Sequence, residues 1–265
     1  MYMLGIEIWL YSLAPLLICT ISLWVFSLLL KNASIIDIFW GLGFVTVFWL
    51  TSTQLQNENR FQMTLLGATV TLWGLRLAIH IFLRSIGKGE DARYAKFRTN
   101  AGHTWWWSSL FKVFIFQGLL IWIISAPISI TQATPMQRGP LVYFGFCIWL
   151  IGFIFEAGGD LQLARFKSLP KNKGGLLTTG FWGLTRHPNY FGDATQWWGF
   201  WLMSLSQYTW WTIFSPILMT VLLLKFSGVP ITERMMRKDK PGYKNYIDSV
   251  PAFVPNIFNV FRSNQ

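Results

Sequence analysis

Asp37, Arg76, His80, Glu156, Asp160 and Asp193 are ionisable residues set inside long apolar runs. At the centre of a bilayer each costs about 2.5–3.5 kcal/mol on insertion scales, so each needs a partner, a cavity or a chemical task. Arg76, His80 and Arg84 recur at intervals of four, which puts them on one face of a helix. Three aligned polar groups favour a polar cavity over a lone core histidine. Imidazole titrates near neutral pH, so His80 suits general-acid work. Arg76 suits polarising a carbonyl. Asp37 falls in the first turn of the run opened by Ser34; stabilisation by the helix dipole is its plain structural reading. No Cys or second His neighbours these residues, so no metal is expected.

Glu156 and Asp160 are also four apart, and their like charges repel on one helical face. Arg165 and Lys167 follow them, then Lys171 and Lys173 in a Pro/Lys/Gly-rich turn. Acidic then basic groups at one helix end suit a nucleotide, with ribose hydroxyls on the carboxylate and phosphates on the cations. The stretch Gly180-Phe-Trp182-Gly-Leu-Thr-Arg186-His187-Pro188-Asn189-Tyr190-Phe-Gly192-Asp193 carries the strongest signal. Pro188 fits a first helical turn, where free N–H groups favour anions. Arg186 can add a bidentate phosphate clamp, and Asn189 and Asp193 face the same way. The tail, with Glu233-Arg234, Tyr243 and Val250-Pro251, is too polar to span and suits a lid on the membrane surface. There is no Walker loop and no soluble-type dinucleotide motif.

These residues need helices to hold them, and composition says which kind. Of 265 residues 53% are hydrophobic and only 12% charged, mean hydropathy is +0.40, and 18% are aromatic. Those values exclude a disordered chain and an ordinary soluble domain, and two cysteines exclude a disulfide-built module. Seven apolar runs are each near the 20 residues a bilayer requires: about 8–30, 34–52, 63–84, 109–130, 140–163, 190–206 and 209–227. The first lacks a basic segment before it and reads as a retained helix. Lys and Arg concentrate in 84–112, 165–186 and the tail, whereas the alternate connections hold only Arg60 and Arg138. The positive-inside rule then puts the N-terminus outside and the C-terminus in the cytoplasm. The expected fold is one all-α membrane domain of seven helices over 1–265. Cytoplasmic loops 84–108 and 164–189 and a cytoplasmic tail 228–265 face the cofactor. The net charge of +11 reads as topology and anionic lipid, not nucleic acid.

Taken together, Arg186-His-Pro-Asn-Tyr-Phe-Gly-Asp193, Asp160 to Lys167 and the Tyr243 to Pro251 tail resemble the steroid 5α-reductase-like superfamily of integral membrane proteins. The chain is most similar to a bacterial subgroup carrying Asp37-Ile-Phe-Trp40, Trp73-Gly-Leu-Arg76-Leu, Gly89-Glu90-Asp91-Ala-Arg93-Tyr94 and Arg186-His-Pro-Asn-Tyr190. The resemblance implies NADPH held by the cytoplasmic halves of the later helices, and reduction of a carbon–carbon double bond conjugated to a ketone. Asp160, Lys167, Asn189, Asp193, Arg234, Tyr243 and Arg84 match family positions. The residues assigned to the cofactor are Arg84, Tyr94, Arg98, Glu156, Asp160, Lys167, Lys171, Lys173, Leu176, Arg186, His187, Asn189, Tyr190, Asp193, Arg234 and Tyr243. Asp37, His80 and Arg76 are assigned to catalysis. The family places Tyr directly after the histidine that aligns with His80; here Ile81 stands there, and His80 is the substitute donor.

The expected protein is therefore an NADPH-dependent reductase of a bacterial inner membrane, its cofactor site facing the cytoplasm and its lipophilic, steroid- or isoprenoid-like substrate entering from the bilayer. Membrane lipids are its expected surroundings, with no nucleic acid and no obligate protein partner. The rival readings are an S-adenosylmethionine-dependent lipid methyltransferase and a non-catalytic lipid-binding protein.

Overall fold

A computed structural model describes residues 2–54, 60–134, 139–240 and 242–256; the side chains of Tyr2, Arg60 and Asp239 are not described. Arg138 and residues 257–265 of the predicted tail therefore lie outside the described residues. The described residues are helical with no strand. In chain order the helices are α1 (Tyr2–Tyr11), α2 (Leu13–Leu30), α3 (Ile35–Ser52), α4 (Arg60–Ser85), α5 (Ala92–Ala101), α6 (Trp105–Ser109), α7 (Phe116–Ile124), α8 (Ala126–Ile130), α9 (Pro140–Ser168), α10 (Phe181–Leu184), α11 (Pro188–Ser204), α12 (Phe214–Val221), α13 (Val229–Asp239) and α14 (Tyr243–Ser249). Wider π turns interrupt the helical path at Leu110–Ile115 and Leu222–Phe226.

Among the described residues six helical stretches are long and apolar enough to cross a bilayer: Met3–Leu30, Ile35–Ser52, Phe61–Ser85, Ala92–Ile124, Pro140–Ser168 and Trp210–Lys238. They fit an integral membrane protein. The run expected at 190–206 forms α11, whose 17 residues extend about 26 Å. Two boundaries differ from the sequence reading by more than ten residues. The fourth run becomes helical near Ala92 rather than 109, because Asp91 caps α5 by accepting the Arg93 N–H at 2.9 Å. The last run continues past residue 227 into α13, after Pro230 restarts the helix in its first turn.

The chain divides into two compact units, Met1–Arg138 with Ser204–Thr212, and Gly139–Met203 with Ile213–Gln265. In the first, α3 and α4 pack antiparallel with their backbones almost touching. A Cβ on Gly41 would lie 2.5 Å from the Gly74 carbonyl oxygen, and one on Gly67 would lie 2.9 Å from the Phe48 ring. Such crossings hold helices together in lipid, where burial of apolar surface gives little advantage over contact with acyl chains. The indole N–H groups of Trp9 and Trp122 each donate to the other's carbonyl at 2.9 Å, with the rings stacked at 4.3 Å. This reciprocal pair of hydrogen bonds joins α1 to α7.

In the second unit α9 and α11 use the same device over a longer reach. Gly145, Gly152 and Gly159 recur every seven residues on α9, and Gly192 and Gly199 do so on α11. Their close contacts pair residue 145 with 203, 149 with 199, 152 with 196, 156 with 192 and 159 with 189. That constant antiparallel register sets which polar residues of the two helices meet.

Candidate functional site

The first unit builds a polar cluster around Asp37. The motif Glu90-Asp91-Ala-Arg93-Tyr94 supplies it from the start of α5. Arg93 Nη2 donates to Asp37 Oδ2 at 2.6 Å, and its Nε donates to Asp91 Oδ1 at 2.9 Å. The Tyr94 hydroxyl donates to Asp37 Oδ1 at 2.5 Å and accepts from Gln117 Nε2 on α7 at 3.0 Å. Charged acceptors make these the strong kind of hydrogen bond. Glu90 fastens the motif to the α2–α3 turn: its Oε1 accepts the Ala33 N–H at 2.7 Å, while both its oxygens hold Arg98 at 2.8 Å. The Ser34 hydroxyl, at the start of α3, accepts the Asp91 N–H at 2.7 Å.

Arg76 and His80 sit half-buried on α4, and Arg84 is exposed at its end. The α3–α4 register fixes their height. Asp37 lies four residues before Gly41, so in the antiparallel pair it is level with residue 78, between Arg76 and His80. Of the residues assigned to the cofactor, the structure joins Tyr94 to Asp37 and Arg98 to Glu90.

In the second unit the α9–α11 register brings together the two pairs that the sequence presents separately. Asn189 Nδ2 donates to Asp160 Oδ1 at 3.3 Å, and Gln196 Nε2 donates to Glu156 Oε2 at 2.5 Å. Glu156, Asp160 and Asp193 are all buried. Lys167, Lys171 and Lys173 are exposed on the end of α9 and the turn after it. This layout, buried oxygen acceptors followed by exposed cations, fits a ligand with hydroxyl or amide donors at one end and phosphates at the other. Among the described residues no group of three His, Cys, Asp or Glu is placed to hold a metal ion.

Arg186 and its neighbours fasten the tail. The guanidinium of Arg186, 8% exposed, donates to Glu233 Oε1 on α13 at 3.0 and 2.6 Å, and to the carbonyls of Ile247 and Val250. Its backbone N–H donates to the Pro251 carbonyl, the Thr185 hydroxyl to that of Ala252, and the Asn256 N–H to that of Leu184. Tyr190 shares a hydrogen bond with Thr232 of α13 at 3.0 Å. Leu176 packs on Tyr243, Tyr246 and Val250 in one apolar cluster. Arg234 is exposed.

Several groups outside the membrane-spanning helices titrate away from their ordinary ranges. Burial pushes His187 down to about 4; the Glu233 carboxylate, 3.5 Å from its Nε2, acts the other way, and Arg186 adds to the depression. His187 is therefore neutral at pH 7. Burial raises Glu90 and Asp91, but hydrogen bonds from Arg98 and Ala33 to the first, and from Arg93 to the second, hold both below the usual carboxylate range. Burial, then Glu233, raises the Tyr243 hydroxyl.

Six participants lie outside the sets chosen from sequence: Glu90, Asp91, Arg93, Gln117, Gln196 and Glu233. The Glu90 to Tyr94 motif was the available signal for Arg93. Gln117 and Gln196 are amides within apolar runs, and the seven-residue glycine spacing would have set Gln196 opposite α9. Glu233 carries no local signal, since its partner Arg186 is 47 residues away.

Comparison with known proteins adds a family. An uncharacterized protein of Schizosaccharomyces pombe is 26% identical over 89% of this chain and 76% of its own length. Two shorter similarities are to Delta(14)-sterol reductases. That of Arabidopsis thaliana is 34% identical, and erg24 of Schizosaccharomyces pombe is 37% identical; each match covers 20% of this chain, and 17% and 15% of the respective enzymes. No solved structure matches. The model of the family described as protein of unknown function DUF1295 matches residues 23–250, nearly the whole chain including the Asp37 cluster and the Asp160–Asn189 crossing, and the protein belongs to that family.

Proposed function

We propose that the protein is an NADPH-dependent reductase of a carbon–carbon double bond in a lipophilic, enone-type substrate. The observation that carries this reading is the α9–α11 crossing, where buried Asp160 meets half-buried Asn189, with the exposed Lys167, Lys171 and Lys173 following on the end of α9 and the turn after it. Carboxylate and amide suit the hydroxyl and carboxamide groups of a dinucleotide. Lysines suit its phosphates as point charges. The short similarity to Delta(14)-sterol reductases favours a reductase over a methyltransferase.

Bound NADPH supplies hydride for the β-carbon of the double bond. The chain's own residues do the rest. Asp160, Glu156, Asp193 and Asn189 orient the nucleoside, and the lysines hold the phosphates. Asp37, with Tyr94 fastened to it, and Arg76 and His80 at the same height on α4, polarise the carbonyl and deliver the proton to the α-carbon. Tyr94 offers a tyrosine hydroxyl where Ile81 removes the one that the superfamily resemblance leads one to expect. Arg93 and Gln117 hold that hydroxyl and carboxylate in place. Seven spans, with α11 as the sixth, an external N-terminus and a cytoplasmic C-terminus complete the reading, in a bacterial inner membrane with substrate entering from the lipid.

The test is thermal stability of the detergent-purified protein with NADPH, NADH, S-adenosylmethionine or no addition. A ligand specific for the folded state stabilises it by about 2.7 kcal/mol at a hundredfold excess over its dissociation constant. A shift with NADPH alone supports the reading; a shift with S-adenosylmethionine alone replaces it with methyl transfer, and no shift favours a lipid-binding protein. Asp37→Asn and His80→Gln should then lower turnover with NADPH binding nearly intact. Equal loss of binding would refute this division of roles.

A further inference from the structure

The first unit contains a cavity remote in sequence from the nucleotide-site residues. It has a volume of about 330 Å³ and is lined by Phe97, Asn100, Ala101, Trp105 and Lys112. Its polar side chains include the Lys112 ammonium, a donor only, and the Asn100 amide, which can turn its NH2 inward. Among the described residues Lys112 has no ion pair and the Asn100 side chain no hydrogen bond, and the cavity has no carboxylate in its wall. The nearest arginine of the cluster is already committed: Arg98 is held by both oxygens of Glu90 and lies over the Trp105 ring at 5.2 Å. That stacking braces one wall. Lys112 itself sits on the π turn Leu110–Ile115, an irregularity often found at functional sites.

The surroundings of the cavity say which anion it takes. Phe97, Trp106, Trp107, Phe111 and Phe116 are 46–61% exposed on the same helical stretch, which is apolar enough to cross a bilayer. Large exposed aromatics around a lysine mark the depth of lipid headgroups, and a lysine stem lies along apolar surface while its ammonium reaches the phosphate level. We infer that this cavity binds the headgroup of a phospholipid of net negative charge, with Lys112 and Asn100 donating to its phosphodiester oxygens, Lys112 repelling any headgroup cation, and the acyl chains running along Phe111 and Phe116.

The test is native mass spectrometry of the full-length protein released from detergent micelles containing phosphatidylglycerol, or phosphatidylcholine with the same acyl chains. Retained phosphatidylglycerol adducts, with phosphatidylcholine lost, are expected. One lysine at an anionic surface contributes enough that Lys112→Gln should lower retention about fivefold. Asn100→Leu, at an exposed position, should lower it independently, whereas Lys96→Gln, outside the lining, should not. Equal retention of the two lipids overturns the inference, as does unchanged retention in both cavity variants. Displacement of phosphatidylglycerol by millimolar inorganic phosphate would overturn the assignment to lipid by showing that a free anion suffices.

Discussion

Acidification should loosen the join between Thr185–His187 and the tail before it affects the rest of the chain, and His187 sets the size of the effect. Its imidazole is 2% exposed, faces Glu233 at 3.5 Å, stacks on Tyr190 and neighbours Arg186. Its folded value of about 4 lies below the ordinary 6.5. The unfolded chain therefore binds more protons between those values, and stability rises with pH through that window and levels off above it. For two simple titrations at these values, going from pH 7 to pH 5 removes about 2 kcal/mol. In a chain of this size that lowers Tm by about 4–8 °C. Thermal unfolding of the detergent-solubilised protein at the two pH values, beside His187→Gln, measures it. The variant should lose most of the difference between pH 7 and pH 5. A parent whose Tm is flat across the window, or a variant with the parent's full pH dependence, would refute the argument.

Three further perturbations probe the joints of the fold. Gly152→Ala places a methyl group 2.6 Å from the Gly192 carbonyl oxygen and 2.7 Å from the Gln196 nitrogen, so it should cost about 1–3 kcal/mol by overpacking; Gly139→Ala, which meets nothing within 4 Å, should leave Tm unchanged. Glu233→Gln removes the charge facing a buried Arg186. It should destabilise by about 3 kcal/mol and speed hydrogen exchange in residues 243–256, with α3 and α4 unaffected. Trp9→Phe deletes one of two reciprocal hydrogen bonds and weakens a stacked pair, costing about 2 kcal/mol as read from thermal unfolding.

Much of the helical layout was legible because lipid imposes one strong rule: a spanning segment must satisfy its backbone internally over a fixed length. Ser34 and Pro188 marked helix starts correctly to within a residue. The helical character of 92–108 was not legible from hydropathy. Its polar face reads as a loop, and it is held by Asp91, Glu90 and a buried Tyr94 that act only when the α2–α3 turn is present. The pairing of α9 with α11 was written in the glycine spacing. Without that register, Glu156 with Asp160 and Asn189 with Asp193 read as two separate same-face pairs, whereas the helices set Asp160 against Asn189 and Glu156 against Gln196.

Side-chain type alone also fails to say which cations are spent on the protein itself. An arginine next to a helix start reads equally as a phosphate clamp or as a carboxylate partner, because its planar fork fits both. Among the described residues three arginines are held by hydrogen bonds from the fork to carboxylates. Arg93 holds Asp37 and Asp91, Arg98 holds Glu90, and Arg186 holds Glu233 and two tail carbonyls. Lys96, Lys112, Lys171 and Lys173 have no ion pair among the described residues. A lysine is a compact charge on a flexible stem and loses little geometry when its partner is a mobile phosphate. The division is physical: rigid bidentate cations fix α5 and the tail, and flexible cations remain for ligands. It follows that Lys171→Gln with Lys173→Gln should weaken nucleotide binding at unchanged Tm, while Arg186→Lys should lower Tm first and binding only through the displaced tail.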